Sequence, residues 1–99
     1  MADMIEAKTI LAQLGGRRFV VMTGATQFGG ADNPVSLKFS LPGRGIHKVV
    51  ITLDPSDTYT LEAYQRRGAF LELQASHSNI YAEDLQRFFT EATGLDTHL

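Results

Sequence analysis

The chain contains no cysteine, which excludes disulfide staples, thiolate nucleophiles and cysteine-held zinc, and a reducing compartment suits it. It has no tryptophan, only three prolines, and no apolar run near the ~18 residues of a membrane-spanning helix. Met1-Ala2-Asp3-Met4-Ile5-Glu6 carries acids where a secretory signal carries bases. A soluble protein without a targeting segment is therefore expected. Neither sign of charge dominates, since 9 bases face 11 acids. With no low-complexity tract and a small net charge, disorder is excluded as well.

What is present is 99 residues, 43% of them hydrophobic, which is the content of one globular domain spanning 1–99. A chain of this size withdraws roughly 60–68% of its unfolded surface from water, enough for a core without metal or disulfide support. Met4, Ala7, Leu11 and Leu14, with Ile10 beside them, form one apolar stripe at helical spacing. A helix over 4–14 follows, with Asp3 and Glu6 placed as a capping box and Gly15-Gly16 as its stop.

Residues 17–22, short, β-branched and aromatic, predict a first strand. Residues 23–34, with Gly24, Gly29, Gly30 and Asp32-Asn33-Pro34, predict a long connection. From Val35 to Leu41 the alternation is strict: Val35, Leu37, Phe39 and Leu41 face one way, Ser36, Lys38 and Ser40 the other. That is a second strand. Pro42-Gly43-Arg44-Gly45 turns the chain into a third over 48–53, with Val49, Ile51 and Leu53 inward. The Asp54-Pro55-Ser56-Asp57 turn, in which Asp54 accepts from the turn's own backbone, leads to a fourth over 58–66.

Arg67-Gly68 leads to a fifth strand over 69–74 with Ala69, Leu71 and Leu73 inward. A second helix, capped by Ser78 or Asn79 and ended by Gly94, carries Tyr81, Leu85, Phe88, Phe89, Ala92 and Leu95 at helical spacing. The order α-β-β-β-β-β-α, with short turns between later strands, predicts an α+β two-layer sandwich. Its sheet is a five-stranded, mostly antiparallel meander, with the N-terminal and C-terminal helices on one face. The expected core is Leu11, Leu14, Phe19, Val21, Leu37, Phe39, Val49, Ile51, Tyr59, Leu61, Leu71, Leu85, Phe88 and Phe89. A double-stranded-RNA-binding domain shares the general order, but its second helix starts with lysines where Asn79-Ile80-Tyr81-Ala82-Glu83-Asp84 stands here.

No catalytic constellation emerges. His47, His77 and His98 stand at no metal-pair spacing, and no nucleophile elbow or His-Glu-x-x-His motif occurs. Thr23 to Gly30 lacks the lysine and following helix of a phosphate loop. Asp54 and Asp57 fall short of the six to eight oxygens that calcium takes. The chain reads as a non-enzyme without metal or small-molecule cofactor.

Charge is more informative than any motif. The helices carry Asp3, Glu6, Glu83, Asp84, Glu91 and Asp96 against Lys8 and Arg87. The sheet face away from them is expected to carry Arg18, Lys38, Lys48 and Arg66 against Glu62 and Glu72, a net of +2 beside Val20, Met22, Val50, Tyr64 and Phe70. Arg18, Lys38, Lys48, Tyr64, Arg66 and Phe70 are thus the candidate binding residues. Three accounts fit them. The face is simply solvated, or it docks a protein partner or a second copy, or it takes single-stranded nucleic acid with bases on phosphates and rings on nucleobases. A pI near 5.8 weighs against nucleic acid. The acidic helices admit a nucleic-acid mimic, although solvated acids look the same.

Three stretches taken together resemble a family of small proteins encoded by bacteriophages and prophages. They are Leu14-Gly15-Gly16-Arg17-Arg18-Phe19-Val20-Val21-Met22-Thr23-Gly24-Ala25, Val50-Ile51-Thr52-Leu53-Asp54-Pro55-Ser56-Asp57-Thr58-Tyr59 and Ile80 through Leu95. The resemblance implies a viral accessory protein acting in the bacterial host cytoplasm, for instance as an inhibitor of a host defence system or as a structural phage protein. It transfers no catalytic residue.

Overall fold

The computed structural model describes residues 3–32, 35–42 and 45–95. The side chains of Asp3, Met4, Glu6, Ala7 and Lys8, the Gly43-Arg44 turn, Asn33-Pro34, and Asp96 and His98 lie outside the described residues. Helix α1 (Asp3–Leu14) is followed by α2 (Gly16–Thr23), then β1 (Thr26–Asp32), β2 (Val35–Ser40), β3 (Ile46–Leu53), β4 (Tyr59–Arg67) and β5 (Phe70–Ile80). A single 3₁₀ turn, Ala82–Asp84, leads into α3 (Leu85–Thr93). The five strands form one antiparallel sheet in the order β1-β2-β3-β4-β5. The α+β meander read from the sequence is thus the architecture. Helix α1 packs on β1 and β2, and α3 on β4 and β5.

The expected strand at 17–22 is instead α2. Phe19 and Thr23, four apart, are its buried residues, whereas Val21, expected inside, is 74% exposed. Gly15 and Gly16 take positive φ and separate α1 from α2. Gly24, with φ 70°, closes α2 by donating its N–H to the Val20 carbonyl at 2.9 Å. Thr23 seals the same end: its hydroxyl donates to the Phe19 carbonyl (2.8 Å) and accepts from the Ala25 N–H (3.2 Å).

Packing explains the choice. The Phe19 ring meets Phe39 at 5.3 Å and Phe89 at 5.1 Å, both edge to face. A buried phenylalanine contributes about 1.5–3 kcal/mol, and each ring pair about 0.5–1.5 more. Strand propensity, whose whole measured range is about 1 kcal/mol, does not compete.

Displacing the strand moves it into the expected connection, where β1 pairs with β2. This glycine-rich segment needs only one ladder, because it lies at the sheet edge. Around it the alternation of β2, β3 and β4 holds as read: Leu37, Phe39, Val49, Ile51, Tyr59, Leu61 and Ala63 are buried, and Lys38 is exposed. Ile10 and Leu14 from α1, and Leu85 and Phe89 from α3, complete the core, with Leu11 and Phe88 packed at its margin.

The fifth strand also departs from expectation. It continues to Ile80, which is buried, so Ser78 and Asn79 lie within the strand and α3 begins at Leu85. Between Ala63↔Ala75 and Tyr64↔Leu73 the register shifts, leaving Gln74 as an extra residue on β5. A bulge reverses which residues face the core beyond it. Leu71 and Leu73, expected inward, therefore pair with Arg66 and Tyr64 and are 43% and 49% exposed; Ala69 lies in the hairpin turn and is exposed.

Candidate functional site

The helices cover one face of the sheet, so the other is where the exposed chemistry gathers. Cross-strand pairing sets Ser40 beside Lys48, Lys48 beside Tyr64 and Tyr64 beside Leu73. In the next row stand Lys38, Val50, Glu62 and Ser76. Of the six candidate residues, Lys38, Lys48, Tyr64 and Arg66 share this open face. Arg18 does not, because it lies exposed on α2; Val20 and Met22, half-buried on the same helix, are off the face too. Phe70 does not either: at the start of β5 it is out of phase with Leu71 and 76% exposed. Glu72, paired with Gln65, falls on the opposite face and meets Arg67 at 3.4 Å. The open face keeps three bases against one acid, Glu62, so its net +2 survives the change of membership.

A shallow depression of about 240 Å³ sits at one end of this face, lined by Gln27, Lys38, Phe39, Ser40, His47, Lys48 and Leu71. Gln27 belongs to the β1 edge and Leu71 to the β5 edge, so side chains from both sheet margins border one hollow. Register shifts lie beside it. One in β1 lies between Thr26 and Gly29, and one in β3 lies between Ile46 and Lys48. Bulges increase twist and re-aim the extra side chain. Here the re-aimed residues are Gln27, with φ 57°, and His47, and both line the hollow.

Ser40 donates its hydroxyl to Gln27 Oε1 at 3.0 Å. A Cβ at Gly29 would lie 3.2 Å from Lys38 Cε, so it is the glycine that lets the lysine stem rest across β1. Among the described residues no carboxylate comes within salt-bridge distance of Lys38 or Lys48. No acid among the described residues lines the depression. On the same face the Tyr64 phenol has a pKa raised first by burial and then by the nearby Glu62 carboxylate.

Elsewhere several polar groups have partners within the chain. Asp54 accepts the Thr60 hydroxyl at 2.7 Å through its carboxylate, and its carbonyl takes the Asp57 N–H at 3.0 Å. Asp54 thus accepts from the turn's own backbone as expected, through its carbonyl, while its carboxylate reaches Thr60 on β4. Arg87 joins Asp84 (3.4 Å) and Glu91 (3.9 Å), tying up part of the acidic helix. His77 rests against Phe88, ring centroids 5.2 Å apart. Among the described residues there is no group of three or more histidines or acids suited to a metal ion. None of the described helices is long and apolar enough to cross a membrane.

Sequence reading missed Gln27, His47 and Leu71. Each reaches the site through a bulge, and a bulge leaves no mark in the hydrophobic period. Comparison of the chain with protein-family models, with curated proteins and with solved structures finds no match.

Proposed function

We propose that this chain is a small accessory protein of the bacteriophage type that acts in the host cytoplasm by binding a protein partner, a second copy of itself being the simplest one. In this reading it is a binding module and not an enzyme. The observation that carries it is β5. This strand is eleven residues long and stands at the sheet edge. It displays Phe70, Leu71 and Leu73 to solvent, with Glu72 as its sole carboxylate.

An unpaired edge offers its N–H and C=O groups to any extended segment, and natural edges of this length are blunted by charge unless they are used. Large apolar side chains beside such an edge supply the desolvated anchors that backbone pairing lacks. The phage setting rests on the three resembling stretches and suits a chain without cysteine.

Static light scattering of the full chain over a range of concentrations tests this. Dimers that dissociate on dilution, and that are lost in Phe70→Ser/Leu73→Lys, are the expected result. A monomer at every concentration, or a dimer indifferent to the double substitution, refutes self-association through β5.

The nucleic-acid reading has one observation in its favour, the grouping of Lys38, Lys48 and Arg66 around Tyr64. It also requires stacking rings. With Phe70 off the face, Tyr64 is left as its one tyrosine or phenylalanine ring among the described residues.

A further inference from the structure

We propose that the depression between the two sheet margins is a binding site for a small phosphate monoester, with the phosphate among Lys38, Lys48 and His47 and the organic body against Leu71. This goes beyond the β5 reading and does not depend on it. Among the described residues, two ammonium groups that lack carboxylate partners meet an imidazole in one hollow with no acid in its lining, and the Ser40 hydroxyl there is committed to Gln27. A tetrahedral dianion offers acceptors in several directions and so matches donors arriving from separate strands. A carboxylate carries a single negative charge and accepts mainly within its own plane.

The Gln27 and His47 side chains are brought there by two separate register shifts, and Gln27 holds a left-handed backbone conformation that side-chain-bearing residues rarely adopt. Local strain of this kind concentrates at ligand sites. Size limits the ligand: about 240 Å³ is below the ~300–1,000 Å³ of pockets that enclose a whole organic ligand. The hollow therefore takes a head group, while the remainder of the molecule lies on the apolar wall made by Leu71.

Titration calorimetry of the full chain with inorganic phosphate, phenyl phosphate, benzoate and a thymidine oligonucleotide decides it. Phenyl phosphate is expected to bind one per chain and more tightly than inorganic phosphate, with benzoate weaker than both. Lys38→Ala and Lys48→Ala should each weaken phenyl phosphate about tenfold, the loss of one charge-assisted hydrogen bond. Leu71→Ser should bring phenyl phosphate down to the level of inorganic phosphate. Lys38→Gln, which keeps the stem over Gly29, should weaken it as Lys38→Ala does, and thermal melts of these exposed-site variants should match the parent.

Absence of binding at millimolar phosphate, equal binding of benzoate, or indifference to both lysine substitutions overturns the proposal. So does an oligonucleotide that binds far more tightly with a salt slope of several phosphates, which would assign the face to nucleic acid.

Discussion

Truncating Phe19 and altering its near neighbour Val21 should have opposite consequences, and the contrast tests whether residues 17–22 form a helix or a strand. Phe19 has no exposed surface and touches two other rings. Phe19→Ala removes the ring from the point where α2 meets β2 and α3, and such truncations cost about 3–5 kcal/mol. Two edge-to-face partners place this one at the upper end of that range.

For a domain of this length each kcal/mol shifts the melting temperature by about 4–8 °C, so a fall of roughly 20–40 °C is expected. Total stabilities of about 5–15 kcal/mol leave little margin. Phe19→Leu, which keeps most of the apolar volume, provides a milder comparison at about 1.5 kcal/mol or less. Val21→Ser should change stability by no more than about 0.5 kcal/mol, because this side chain is 74% exposed. In a strand the two residues would share a face, and both substitutions would damage the core. Urea denaturation followed by circular dichroism reads the difference. A Val21→Ser midpoint lowered as far as that of Phe19→Leu would refute the helical assignment.

Gly24→Ala should destabilise the protein by about 1–3 kcal/mol in calorimetry, because φ is 70° there and the new Cβ would lie 3.0 Å from Pro42 Cγ. Gly29→Val should leave the melting temperature nearly unchanged but displace the Lys38 stem from β1, weakening phenyl phosphate binding in the calorimetric titration. Burial, then the Asp57 charge, raises the pKa of Tyr59 above its ordinary 10.0. The folded state thus holds this proton more tightly than the unfolded one. Stability is complete below pH 10.0 and declines as pH rises from there through the folded-state pKa. Tyr59→Phe should flatten that alkaline decline in urea midpoints measured across the range. Glu62→Gln should lower the Tyr64 pKa, so that tyrosinate absorbance develops at lower pH, since it removes the adjacent charge.

The candidate site was half legible for a definable reason. Lys38, Lys48, Tyr64 and Arg66 lie on strands whose opposite faces are buried, so the inward positions dictate the outward ones. Arg18 was misplaced along with its segment. A six-residue stretch satisfies a period of two through Phe19 and Val21, and a helical spacing of four emerges only when Thr23 is counted. Local propensity favours the strand, but the deciding contacts are rings from β2 and α3, distant in sequence. Gln27, His47 and Leu71 were invisible for another reason: a bulge is an agreement between two strands.

By itself the sequence determined the α+β class, the antiparallel meander, α1, and the inward and outward faces of β2, β3 and β4. In each of these, a buried surface recurs at one period long enough to be recognised. Tertiary structure alone decided that 17–22 coils onto the core as α2 and that a glycine-rich segment serves as the edge strand β1. It also decided that Leu71 and Leu73 turn outward past Gln74, and that side chains from both sheet margins border one hollow with Lys38 and Lys48. Those outcomes depend on which residues face one another across strands and layers, and the burial of Phe19 between Phe39 and Phe89 outweighs the strand preference of its neighbours.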